Sequence, residues 1–233
     1  MRRTVRKHTH DISVVCMFHV KHYIKNQRGI MKKFYKEPKM AGIQALMISG
    51  QIEGHTTLPE GVKATKYEEI IPKILNLEEN PAVSGVLILL NTVGGDVEAG
   101  LAIAEAIAGM SKPTVSYVLG GGHSIGVPLA VSAKKSFITH SASMIIHPVR
   151  MTGVVLGVDQ AFDYLTRMQD RINAFIVNHS NTDHKTLRRL MFNTTEMSCD
   201  IGSILYGQEA VEKGIIDKVG TLSEVLKELK EMA

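Results

Sequence analysis

Gly120-Gly121-Gly122-His123-Ser124-Ile125-Gly126 follows an uninterrupted apolar run, Val115 to Leu119, and leads into Val127-Pro128-Leu129-Ala130-Val131. A short apolar run ended by glycines reads as a buried strand, and the segment after it reads as a helix beginning near Ser124. The same order occurs one unit earlier. Val86 to Leu90 is followed by Asn91-Thr92-Val93-Gly94-Gly95 and then by an alanine-rich helix from about Val97 to Met110. Strand, glycine turn and helix in repetition predict an α/β fold with a mostly parallel sheet. Ligands meet such sheets at the carboxyl ends of the strands, where both glycine clusters lie.

Working outward, Ile43 to Ile48 reads as a strand ended by Ser49-Gly50, and Tyr67 to Leu77 carries apolar residues at helical spacing until Asn80-Pro81 stops it. Phe137 to Thr139 and Ser143 to His147 read as further strands. Val158 to Asn178 is the longest helix, with Ala161, Phe162, Leu165, Met168, Ile172, Phe175 and Ile176 on one apolar face.

The chain has 233 residues, of which 44% are hydrophobic, a length and composition sufficient to bury a core. Aromatic residues make up 5% and tryptophan is absent, which argues against a base-stacking nucleic-acid surface or an aromatic sugar platform. No apolar run approaches the roughly 18 residues that a membrane-spanning helix requires, so a soluble protein is expected. The two cysteines, Cys16 and Cys199, form no CxxC and no metal-ligand spacing, which points to a reducing cytoplasm.

Charge is distributed unevenly. Residues 1–40 hold eleven Lys/Arg against Asp11 and Glu37, a balance of +9, whereas the remainder has a balance of −5. That leader also carries His8, His10, His19 and His22 at irregular spacing, and its apolar patch from Ile12 to Phe18 is too short for a signal peptide. It reads as a flexible basic extension before a single domain over 41–233. Two other readings stay open: a functional start at Met31 or Met40, or a basic arm that touches anionic lipid or nucleic acid.

Ser124 stands between glycines at a strand-to-helix turn. A serine hydroxyl becomes a nucleophile when a tight turn exposes it, a base takes its proton and donors face the oxyanion it creates. By itself the G-x-S-x-G pattern is a weak signal and fits a helix-capping serine better. Gly94-Gly95 also lies where a strand ends and a helix opens, so its amides could converge with that of Ile125 on one oxygen, or the pair could serve only to turn the chain. His147, at the end of Ser143 to Ile146 and before Pro148, is the candidate general base. His123 adjoins Ser124 on the turn and is expected to point elsewhere; His140 falls on a loop.

Between Ile43 and Leu226 the ordered series Ser49-Gly50-Gln51-Ile52, Asn91-x-x-Gly94-Gly95, Gly120 to Gly126, Met144 to Pro148 and Glu209 to Asp217 resembles the Clp protease proteolytic subunit family. The form Ile146-His147-Pro148-Val149-Arg150 most resembles a branch of the family whose name implies a link to protein export. The resemblance implies a ClpP/crotonase-like fold with a protruding handle helix at Val158 to Asn178, through which stacked homo-oligomeric rings form. It implies a serine-type endopeptidase with Ser124 as nucleophile, His147 as general base, and Gly95 and Ile125 as oxyanion-hole donors. Short or unfolded peptides would lie as an added strand beside Gly94, Gly95, Asp96 and Val97. No metal or cofactor is needed.

The family's third residue, an aspartate, falls on Gly202 here, and Asp200 is the nearest acid able to orient the imidazole. Asp217 matches a family aspartate outside the site and is expected to close a turn. Where members that work with an unfoldase carry aromatic residues, this chain has Leu87 and Leu89, so a Clp ATPase is expected to be no partner or to dock differently. The order Ser, His, Asp separates the chain from α/β-hydrolases, whose order is Ser, acid, His. Two rivals remain: a crotonase-like acyl-CoA enzyme that polarises a thioester with the same two amides, and a non-catalytic ClpP-like scaffold. A Ser/Lys dyad through Lys134 or Lys135 is a weaker variant.

Overall fold

The computed structural model of the protein describes residues 42–151, 157–196 and 201–233. The basic leader 1–40, Cys16, Cys199 and Asp200 lie outside the described residues. In chain order the strands are β1 (Ile43–Glu53), β2 (Ala64–Lys66), β3 (Gly85–Gly95), β4 (Thr114–Gly122), β5 (Lys135–Ile138), β6 (Ser143–Ile146), β7 (Ser203–Tyr206) and β8 (Lys218–Val219). The helices are α1 (Tyr67–Glu79), α2 (Val97–Ala108), α3 (Gly126–Val131), α4 (Val158–Asn178), α5 (His184–Met191), α6 (Gly207–Glu212) and α7 (Leu222–Met232).

The main sheet runs β2-β1-β3-β4-β5-β8 with every pairing parallel. β6 leaves it, touching β4 through the single pair Gly121 with Ser143, and pairs antiparallel with β7. The mostly parallel α/β architecture expected from the repeated strand-turn-helix units is therefore present.

β3 is apolar on both faces because both are covered. Val86, Ile88 and Leu90 join the large core with Ile48, Ile103, Leu129 and Ile138, while Leu87 packs with Ile43, Val115, Tyr117 and Phe137 under Val225 and Leu229 of α7. Burying one such Leu or Ile side chain contributes roughly 1.5–3 kcal/mol.

Several boundaries differ from the sequence reading. β1 and β3 run on to Glu53 and Gly95, past their expected ends at Ile48 and Leu90, because parallel pairing resumes beyond a register shift at Gly50/Gln51. The helix after Ser124 starts at Gly126 and lasts six residues. α4 has the expected bounds, but only its second half is packed. Met168, Ile172, Phe175 and Ile176 are buried, while Phe162 is 70% exposed.

Among the described residues, no helix is long and apolar enough to cross a membrane.

Candidate active site

Asn91 and Thr92 carry no apolar signal, yet they organise both glycine turns. The Asn91 side-chain carbonyl oxygen accepts the Gly121 N–H at 2.9 Å. The Thr92 hydroxyl donates to the Gly50 carbonyl at 2.6 Å and accepts the Gly94 N–H at 3.1 Å, and the Thr92 carbonyl accepts the His123 N–H at 3.2 Å. Thr92 is 1% exposed, so these bonds form in a site from which water is excluded. The two turns thus meet by a polar code that hydropathy does not register.

Ser124 has φ +58, the only positive φ among the described non-glycine residues. A left-handed serine is uncommon and is held there by its surroundings. Its N–H donates to the Ile145 carbonyl at 2.8 Å, and its carbonyl accepts the Val127 N–H at 3.0 Å. Ser124 does not cap the following helix: Ile125 occupies the cap position, with no side-chain capping bond.

Gly94, with φ +90, lies against this turn. A Cβ built on it would stand 2.6 Å from the Ser124 Cβ and 3.2 Å from the Ser124 Oγ. Its amide is engaged by Thr92, so Gly94 contributes close approach, and its N–H is not offered to a ligand. Asp96 is likewise occupied. Its N–H donates to the Ile52 carbonyl at 3.0 Å and its carboxylate caps α2 by accepting the Ala99 N–H at 2.8 Å.

A cavity of about 160 Å³ opens at this point. Gly95, Val97, Ser124, Ile125 and His147 all line it, and Val127, Ile146, Ile172, Ile176 and Met191 form an apolar wall beside Arg150 and Gln169. The residues expected to act as nucleophile, base and oxyanion donors are brought together around one hollow. Of the four residues expected to hold a peptide, Gly95 and Val97 line it.

The His147 Nδ1 stands 2.7 Å from the Pro148 carbonyl oxygen. A carbonyl only accepts, so Nδ1 is the donor in this contact. Gly202, where the family pattern places an aspartate, has φ +143 and packs directly on the histidine. A Cβ there would meet the Ile146 carbonyl oxygen at 2.6 Å and the His147 Cβ at 2.9 Å.

Lys134 points its Nζ to the Ser111 carbonyl, 2.7 Å away, and Lys135 belongs to β5 opposite Val115; neither lines the cavity. Asp217 accepts from the Ser136 N–H at 2.9 Å and from the Asn181 side chain at 3.2 Å, tying β5 to the turn after α4. Among the described residues there is no cluster of three or more His, Cys, Asp or Glu able to hold a metal ion.

Two contributors escaped the sequence reading. Gln169 of α4 accepts the Val149 N–H at 2.7 Å and donates to Asn173 at 2.9 Å, so it anchors the segment just after His147. Its signal was a polar residue four after Leu165 and three before Ile172, interrupting the apolar stripe. His123 is the other: its Nδ1 accepts the Ile145 N–H at 3.2 Å.

The fold and the serine turn define a class: an α/β protein whose cleft lies where two glycine turns meet at the carboxyl ends of β3 and β4. Within that class the chain belongs to the Clp protease family, whose model matches residues 42–223. It is 52% identical over 196 residues to the translocation-enhancing protein TepA of Halalkalibacterium halodurans, covering 84% of this chain and 77% of that protein. This is the branch to which the His147 motif pointed. It is 28% identical over 167 residues to proteolytic subunit 1 of the ATP-dependent Clp protease of Protochlamydia amoebophila, covering 70% and 78% of the two chains. A Clp proteolytic subunit of Leuconostoc citreum is also 28% identical, over 169 residues, with 70% and 80% covered.

Proposed function

We propose that the chain is a serine-type endopeptidase that cleaves short or unfolded peptides. The observation that carries this reading is the left-handed Ser124 sharing a partly apolar cavity with a histidine whose Nδ1 is committed to a carbonyl. The His147 Nε2 takes the proton as the Ser124 Oγ attacks the peptide carbonyl carbon. The resulting oxyanion is held by the amides of Gly95 and Ile125, each worth on the order of a hundredfold in rate. Collapse breaks the C–N bond, and His147 returns its proton to the departing amine. Water then attacks the Ser124 ester with His147 again as base, releasing the acid and restoring the hydroxyl.

We assign Asp200 the role of steadying the imidazolium, alongside the Pro148 carbonyl. The apolar wall selects an uncharged side chain next to the scissile bond, and the peptide backbone adds as a strand beside Gly95 and Val97. No cofactor takes part.

The exposed first half of α4, with Phe162 and Val158 largely in solvent, supports assembly of copies of this chain through that helix into stacked rings in the cytoplasm. Leu87 is buried in the core and provides no aromatic anchor, so a Clp ATPase either does not dock here or docks by other contacts. The reading extends to a link with protein export, such as removal of spent signal peptides, which the name of the 52% identical relative supports.

A fluorophosphonate probe tests the chemistry. Labelling of the assembled protein that disappears in Ser124→Ala and in His147→Ala supports the peptidase. An assembled protein that takes no label and cleaves no peptide favours the scaffold reading, for which the crowding of Gly202 against His147 is the motive.

A further inference from the structure

Ile145 is gripped from the serine turn at both of its backbone groups. Its carbonyl accepts the Ser124 N–H at 2.8 Å, and its N–H donates to the His123 Nδ1 at 3.2 Å. Ile145 lies in β6, two residues before His147. The strand that delivers the base is therefore fastened to the nucleophile turn by two adjacent bonds, one from the backbone and one from a side chain.

We propose that His123 is a positioning residue that sets the distance and angle between Ser124 and His147 by clamping Ile145. The proposal rests on the peptidase reading of the same site. The ladder itself gives β4 and β6 only one pair, Gly121 with Ser143, and the bonds of Ile145 to His123 and Ser124 carry the contact on beyond it. An acceptor nitrogen must be unprotonated, which makes His123 an Nε2–H tautomer and removes it as a candidate base for Ser124.

The sequence provides room for the ring. A Cβ on Gly121 would stand 2.8 Å from the His123 Nε2 and 3.0 Å from its Cδ2, so a glycine at 121 belongs with a histidine at 123. Burial holds the imidazole below its usual pKa, which favours the neutral form that can accept. The elements around it, β3, β6 and α3, contain no ionisable side chain, and β4 contributes only Tyr117, whose hydroxyl donates to the Gly220 carbonyl. The ionisable groups flanking those elements are Asp96 just past β3, with its carboxylate on the Ala99 N–H, His140 just before and His147 just past β6, and Lys134 after α3, with its Nζ on the Ser111 carbonyl. Protonation of Nδ1 would set N–H against N–H and release Ile145.

The test compares His123→Leu, which keeps bulk and removes the acceptor, with His123→Asn, whose Oδ1 falls where Nδ1 is. Peptide hydrolysis, the rate of fluorophosphonate labelling and amide hydrogen exchange over residues 143–147 are read on the assembled full chain. His123→Leu should lower kcat by about 10- to 100-fold with KM little changed, since a displacement near 1 Å carries a cost of that order. It should also speed exchange at Ile145. His123→Asn should restore most of both, and should lose the part of the acid limb of kcat that His123 contributes.

A fully active His123→Leu, or a His123→Asn as impaired as His123→Leu with exchange unchanged in both, overturns the proposal. If the wild-type chain neither cleaves nor labels, the peptidase reading fails, and the exchange comparison alone decides the clamp.

Discussion

The α-carbon of Gly94 is the floor on which Ser124 stands: a Cβ at 94 would be 2.6 Å from the Ser124 Cβ and 2.8 Å from the His123 carbonyl oxygen. At φ +90 any other residue also meets backbone strain of about 1–2 kcal/mol. Gly94→Ala should therefore keep its far-ultraviolet circular dichroism while its fluorophosphonate labelling falls by roughly 100-fold, as the hydroxyl is pushed off its approach. Equal labelling of variant and wild type would show that Ser124 is not positioned by this contact.

Placing at 202 the aspartate that the family resemblance leads one to expect there should harm the protein. Gly202 has φ +143, and a Cβ there collides with the Ile146 carbonyl oxygen and the His147 Cβ. Gly202→Asp should lose about 1–3 kcal/mol of stability in urea titrations and lower peptide hydrolysis at least tenfold. A gain in hydrolysis would mean that the loop moves to admit the carboxylate and that the present backbone is not the working one.

The base of α4 is joined to α2 by a two-pronged ion pair, Arg171 Nη1 and Nη2 to the two Glu98 carboxylate oxygens at 2.7 and 3.0 Å. The guanidinium bond holds the Glu98 carboxyl below the usual carboxylate range. Both side chains are about half exposed, so screening limits the gain. Arg171→Ala should cost under about 1 kcal/mol at low salt and less in high salt, measured by denaturant titration. The contribution is present above the ordinary carboxylate pKa and fades as pH falls through the lowered value.

Stability should also respond to pH near neutrality. Burial lowers the His123 pKa, so the unfolded chain takes up the proton first and folding is favoured more as pH rises. The contribution is complete above the ordinary imidazole value and is lost as pH drops from there toward the folded value. Denaturant midpoints measured from about pH 5 to pH 8 should show this slope in the wild type and a flatter one in His123→Asn.

How much of this was written in the chain depends on range. Val115 to Leu119 and Val86 to Leu90 announced β4 and β3 because strands buried on both faces are continuously apolar. Val158 to Asn178 had its ends marked by periodicity, and the fold matched those ends. The extension of β3 to Gly95 was hidden because Asn91 and Thr92 are polar and their partners, Gly121 and Gly50, lie 30 and 42 residues away. β2 is three residues long and exists only as a pairing with β1. Ser124 and His147 were legible as residue types on turns. The grip of His123 on Ile145 was not, since no local pattern encodes a bond between residues 22 apart.

Because β6 departs from the main sheet to pair with β7, Ser124 and His147 stand on two sheets that meet at Gly121 and Ser143, at the two bonds to Ile145 and in one shared core. On the peptidase reading, loss of turnover and loss of folding are then separable. Under that reading, a substitution that loosens the bonds to Ile145 while Met144, Ile146 and Leu205 stay packed in the core should keep its helix content and lose turnover. Screens that rank variants of this chain by thermal stability would pass such proteins as healthy, so activity has to be assayed directly.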